Sequence, residues 1–192
     1  MADNVAITAG SGTSVAADDI GSVFYQRTKL SLGADGTAAD YQGYGKLAYA
    51  SAVDFTCTMA SKTSGQGRRS AVVDNSSNLY TQAAVFVSLT PGTITAPAGF
   101  AVYLYGSFDA SNYYSGGSTD ADYNTLAGDE IPLGFCAILA NSTARGQWFV
   151  TPQGIALPKS WGIIISQTNC GTLSGTEGNH LKKYVGLNPR AI

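Results

Sequence analysis

Apolar residues in this chain recur in short bursts with a period of two, and no stretch holds the 3.6-residue period of an amphipathic helix. Val23-Phe24-Tyr25-Gln26-Arg27-Thr28-Lys29-Leu30 alternates and ends at Gly33-Ala34-Asp35-Gly36. Further bursts run over 83–89, 100–105, 133–139, 147–151 and 161–166, and Lys182 to Val185 offers a last short strand. Pro91, Pro97, Pro132, Pro152 and Pro158 fall between bursts or at their edges, where a sheet tolerates a residue without an N–H. No span between bursts fits the crossover helix that parallel strands require. The pattern predicts an all-β fold, a single antiparallel β-sandwich. Strand order is not readable.

Two stretches break the alternation. Residues 1–22 are small and polar around Gly10-Ser11-Gly12-Thr13-Ser14 and read as an extended N-terminal arm. The sandwich domain is expected over 23–192, with a long loop at about 106–130 that carries Ser111-Asn112-Tyr113-Tyr114-Ser115-Gly116-Gly117. Long loops on a sandwich are where partner contacts concentrate.

At 192 residues the chain can build a sizeable core without metals or disulfides. Only 12% of its residues are charged, about half the usual share. Its polar surface therefore rests on Ser, Thr, Asn, Gln and Gly, which favours a surface covered by neighbouring subunits. The net charge is −2 and the densest basic group is only Gly67-Arg68-Arg69. That excludes the concentrated footprint of a nucleic-acid binder and the polybasic stripe of a membrane binder. The N-terminus lacks the charged and apolar regions of a signal peptide. The longest apolar runs, such as 135–140, are too short to span a bilayer. Cys57, Cys136 and Cys170 match no CxxC spacing, sit in apolar or small-residue runs, and read as buried free thiols of a protein made in a reducing cytoplasm.

Catalytic signatures are missing from the sequence. His180 has no zinc-ligand spacing around it, and no GxSxG elbow presents a serine. Gly43-Tyr44-Gly45-Lys46 is followed by Leu47, where a phosphate loop needs Ser or Thr. Asp120, Asp122 and Asn124 match the opening of a calcium loop. The sixth and twelfth places, a glycine and a glutamate in that pattern, hold Thr125 and Ile131. Those three residues are the candidate metal ligands, and the expectation is no metal, no cofactor and no enzymatic activity. Tyr103, Tyr105, Tyr113, Tyr114 and Tyr123 gather around the long loop, as they would for sugar stacking, for packing or for a protein interface.

Three segments resemble a known group. The first is Val5-Ala6-Ile7-Thr8-Ala9-Gly10-Ser11-Gly12 with Ala17-Asp18-Asp19-Ile20-Gly21, Tyr25 to Leu30 and Gly33-Ala34-Asp35-Gly36. The second is the burst Val102 to Ser107. The third runs through Phe149-Val150, Ala156 to Ile165, Leu173 to Asn179 and Lys183-Tyr184-Val185-Gly186. Together, over about half of the chain, they resemble structural proteins of tailed-bacteriophage virions, a jelly-roll-like group that includes capsid cement and decoration proteins. Residues 38–80 and 108–130 lie outside the resemblance. It implies a jelly-roll-like fold, a homotrimer, and attachment to the major capsid protein on the outer surface of the virion, with synthesis in the bacterial cytoplasm. It transfers no active-site residue. Partner-binding candidates are Ile7, Val15, Ile20 and Val23 in and beside the arm, and Tyr113 and Tyr114 in the loop. The alternative role is a tail-associated structural or host-receptor protein whose tyrosine loop faces polysaccharide.

Overall fold

The computed structural model describes residues 17–20, 23–26, 31–32, 39–40, 46–114, 116–124, 128–139, 144–152 and 156–190. The chain divides into two compact units, Met1–Lys46 with Ala191–Ile192, and Leu47–Arg190. In the first unit, strand β1 (Ala17–Ile20) pairs antiparallel with β2 (Val23–Gln26), and β3 (Ser31–Leu32) pairs with β4 (Ala39–Asp40). Val23–Gln26 takes β1 as its partner, and among the described residues β5 is the first strand in either of the two larger sheets.

From the boundary between the units onward come β5 (Lys46–Tyr49), β6 (Val53–Asp54), β7 (Gly67–Arg69), β8 (Val73–Asp74), β9 (Gln82–Leu89), β10 (Ala98–Ser107) and β11 (Ala121–Asp122). The chain continues with β12 (Ile131–Ile138), β13 (Arg145–Val150), β14 (Ser160–Thr168), a single 3₁₀ turn at Glu177–Asn179, and β15 (Leu181–Arg190). One sheet has the order β13-β9-β15-β5, with β6 also on β15. The other has the order β11-β7-β14-β10-β12, with β8 also on β14. Every strand pair with a defined register is antiparallel.

This strand order has a simple logic. Of the strands β5, β7, β9, β10, β12, β13, β14 and β15, the first pairs with the last, β7 with β14, β9 with β13, and β10 with β12. The pairs are nested, like one long hairpin folded over on itself into two facing sheets. That is the jelly-roll arrangement, and the expected antiparallel β-sandwich is what the chain forms.

Alternation sets the core. Val85, Val87 and Leu89 of β9 point inward against Phe100, Val102 and Leu104 of β10 and Ile163 and Ile165 of β14. At one end Phe55, Trp161 and Tyr184 pack ring against ring, with centroids 4.9–5.5 Å apart. Each such pair adds about 1 kcal/mol beyond the area it buries. Cys57, Cys136 and Cys170 are all buried free thiols, as expected from their neighbours.

The two sheets end differently. On β12 the register with β10 slips between Val102 and Tyr103, and Pro132 lies opposite Tyr103. Gly134 beside the slip has φ 155°, and the Phe149 ring would collide with any Cβ placed there. A bulge with a proline blunts an edge against further strand pairing. Edge strand β13 carries no proline and keeps an unbroken register with β9, from Arg145↔Leu89 to Val150↔Ala84.

Candidate functional site

The loop from β10 to β11 is built around Asp109. Its Oδ1 accepts hydrogen bonds from Ser107 Oγ (2.7 Å), Ser111 N (2.8 Å) and Asn112 N (2.8 Å), and its Oδ2 accepts from Asn112 Nδ2 (2.6 Å). These bonds, the Asn112 and Ser111 amides and the Ser107 hydroxyl among them, hold the Asp109 carboxyl well below the usual carboxylate range. An aspartate that caps its own following backbone is an Asx turn, and Asp109-Ala110-Ser111-Asn112 carries that local signal, which strand alternation does not reveal.

Beyond this turn the chain presents Tyr113 and Tyr114. The Tyr113 hydroxyl donates to the Ala110 carbonyl (3.2 Å) and lies 3.1 Å from Ser160 Oγ at the start of β14. Tyr114 makes an isolated β-bridge with Gly106. Burial, then the charge of Asp129, pushes its phenol pKa up. Ser111, Asn112, Tyr113, Tyr114, Gly116 and Gly117 line an open cleft of about 550 Å³. Beneath it lies Arg69, buried, its guanidinium carbon 5.9 Å from the ring centroids of both Tyr105 and Tyr123. Gly117 has φ 151°, and a Cβ there would stand 2.7 Å from the Arg69 guanidinium. Only glycine lets the loop close over that side chain.

The calcium-like residues take other partners. Asp120 accepts from Arg68 Nε, Thr58 N and Thr58 Oγ1, and Asp122 accepts from Lys62 and Arg68. Asn124 Oδ1 accepts from Gly67 N at 3.2 Å. Burial raises the Asp120 pKa, but its bonds to Arg68 and Thr58 outweigh that and hold it below the usual range. The Lys62 and Arg68 bonds do the same for Asp122. Two cations already neutralise these carboxylates. Among the described residues, no group of three or more His, Cys, Asp or Glu gathers to hold a metal ion. Gly67-Arg68-Arg69, a basic group in the sequence, is a strand that pairs with both β14 and β11.

Of the other candidates, Ile7 and Val15 lie outside the described residues. Ile20 and Val23 are backbone partners in the β1–β2 register. His180 is buried, with Nδ1 accepting from Thr90 N (3.2 Å) and Nε2 donating to the Ser174 carbonyl (3.0 Å). Both ring nitrogens are thus committed to backbone, and the ring serves packing. Nearby, Glu177 Oε2 accepts from Met59 N (2.9 Å) and Ala60 N (2.7 Å), and Oε1 pairs with buried Lys182. Burial, foremost, pushes the Cys57 thiol up to about 12.

Large apolar side chains stay exposed at both ends of the sheet β13-β9-β15-β5. Trp148 (52%) and Val150 (54%) stand on β13, and Tyr49 (72%) and Val53 (45%) stand on β5 and β6. Trp148 leans on Phe86 of β9, centroids 5.1 Å apart.

No family model and no curated protein matches this chain. Among solved structures, a chain in the structure of infectious bursal disease virus, Gx strain, aligns with a TM-score of 0.24 at 9% identity over 88% of this chain. This chain spans 43% of that one. A likeness at that level carries no argument for fold or function.

Proposed function

We propose that this chain is a non-enzymatic structural protein of a bacteriophage virion, a cement or decoration protein that forms a trimer on the outer capsid surface. Jelly rolls build viral capsid domains, lectins and cupins alike, so architecture alone does not choose among them. The observation that carries the reading is the pair of exposed apolar patches at opposite ends of one sheet, Trp148 with Val150 and Tyr49 with Val53. Exposed apolar side chains at sheet margins are what a protein contact covers. Two different patches on opposite edges fit a head-to-tail contact between copies of the chain, and a head-to-tail contact whose rotation closes gives a ring. The resemblance supplies the number three and the major capsid protein as the surface beneath. Many weak contacts repeated over a shell then add up to tight attachment.

Two measurements test this. Sedimentation equilibrium is expected to give three times the chain mass, and Trp148→Asp to give a monomer with an unchanged circular dichroism spectrum. Immunogold labelling of intact virions is expected to decorate heads densely. A wild-type monomer at all concentrations refutes the trimer. A few grains at the tail replace the capsid role with a tail role, and unlabelled particles remove the virion assignment.

A further inference from the structure

We propose that the cleft in the β10–β11 loop binds neutral carbohydrate. The inference stands apart from the virion assignment, because it rests on the lining of the cleft alone. A volume of about 550 Å³ lies within the roughly 300–1,000 Å³ of small-ligand sites.

The chemistry of the lining selects the class. Two phenol rings, an amide, a hydroxyl and two glycines line the cleft, and none of these residues carries a charged side chain. A pyranose ring presents a face of C–H bonds that lies on an aromatic ring and a rim of hydroxyls that meets amides and hydroxyls. The nearby charges are engaged elsewhere. The Asp109 carboxylate is spent on its own loop. Arg69 sits under Gly116 and Gly117 against the Tyr105 and Tyr123 rings, with Nε donating to the Thr119 carbonyl (3.3 Å). Among the described residues, no cationic side chain lines the cleft to meet a phosphate or carboxylate.

The loop is also organised in advance. The Asp109 turn, the Gly106–Tyr114 bridge and the contact from Tyr113 to Ser160 fix both tyrosines before any ligand arrives. Ordering costs that weaken flexible sites are therefore already met, and tyrosine offers broad contact at low entropic cost. Ser111 and Asn112 are exposed at the rim, while Tyr113 and Tyr114 are half-buried, the arrangement of a platform with a polar border.

Affinity electrophoresis of the full chain through gels containing dextran, galactomannan or amylopectin tests this, with polygalacturonate as the anionic comparison. At least one neutral polymer is expected to retard the wild type. Tyr113→Ala is expected to weaken that retardation about tenfold, a change of about 1.4 kcal/mol. Tyr113→Phe, which keeps the ring, is expected to stay within about threefold. Asp109→Ala keeps both rings but releases the turn, and is expected to weaken binding as well. Unchanged thermal midpoints establish that the variants fold. Trp148→Ser leaves the cleft intact and is expected to bind like the wild type, so loss of assembly and loss of sugar binding are read separately. Retardation by no neutral polymer, retardation by polygalacturonate alone, or full binding by Tyr113→Ala overturns the proposal. So does loss of binding in Trp148→Ser.

Discussion

Glu177 joins three parts of the sandwich through one carboxylate, and removing it has a calculable consequence. Its Oε2 accepts two backbone N–H groups, from Met59 and Ala60, and its Oε1 pairs with Lys182. The Lys182 side chain is only 7% exposed, whereas that of Glu177 is 40% exposed. In Glu177→Ala the Met59 amide loses its acceptor, at about 1–3 kcal/mol. The Ala60 amide, nearer solvent, loses less. Orphaning a fully buried ion costs about 3–5 kcal/mol, and the exposure of Glu177 reduces that to about 1–2 kcal/mol. The total is about 3 kcal/mol. Glu177→Gln retains an acceptor oxygen for the amides and loses only the charge, at about 1 kcal/mol. Urea unfolding with a slope of about 2 kcal/mol per molar then places the alanine midpoint about 1.5 M below wild type and the glutamine midpoint about 0.5 M below. Replacing the stranded cation as well, in Glu177→Ala with Lys182→Met, is expected to recover part of the loss. Equal midpoints for the alanine and glutamine variants, or no recovery in the double variant, would refute the account of amides and cation as separate contributions.

Other consequences can be measured as directly. At pH 8 Cys57, Cys136 and Cys170 are expected to resist a thiol-specific disulfide reagent for hours and to react fully in guanidinium, because burial raises all three and the thiolate is the reactive form. Rapid labelling of the native protein would contradict that burial. Calcium at millimolar concentration is expected to leave the thermal midpoint unchanged, since Lys62 and Arg68 already occupy Asp120 and Asp122. Those two carboxyls are depressed in the folded state, so their contribution is present above the unfolded carboxylate pKa of about 4 and is lost as pH falls through the folded values. Stability is therefore expected to drop below about pH 4, and Arg68→Met to flatten that drop; an unchanged acid profile in the variant would sink the assignment. Gly134→Ala is expected to cost about 1–3 kcal/mol by strain at φ 155° and collision with Phe149, read as a lower urea midpoint.

Much of the sandwich was legible because its central strands alternate cleanly. Val85, Val87 and Leu89 are buried on one face of β9, and the bursts at 83–89, 100–105, 133–139, 147–151, 161–166 and 182–185 all lie on or across observed strands. β7 was not legible. Gly67-Arg68-Arg69 is three residues long and charged, and it is held as a strand by partners such as Ile164 and Ala121 far along the chain. The strand order was hidden for the same reason, since nested pairing joins residues that share no local pattern. The calcium-like spacing of Asp120 and Asp122 misdirects because spacing says nothing of which cations stand opposite. The tyrosine loop was visible as a loop, and the hydrogen bonds that Asp109 accepts within it were not.

The slip in β12 has a further meaning when the two sheets are counted as sets of valences. The sheet β11-β7-β14-β10-β12 ends on one side at a bulged strand with a proline and on the other at the two-residue β11, so it is closed to strand addition at both margins. The sheet β13-β9-β15-β5 ends in apolar side chains at both margins. On the proposed head-to-tail contact, copies that meet through those margins would extend one layer only. One layer would then build that assembly, while the strand pairing of the other stays within each copy.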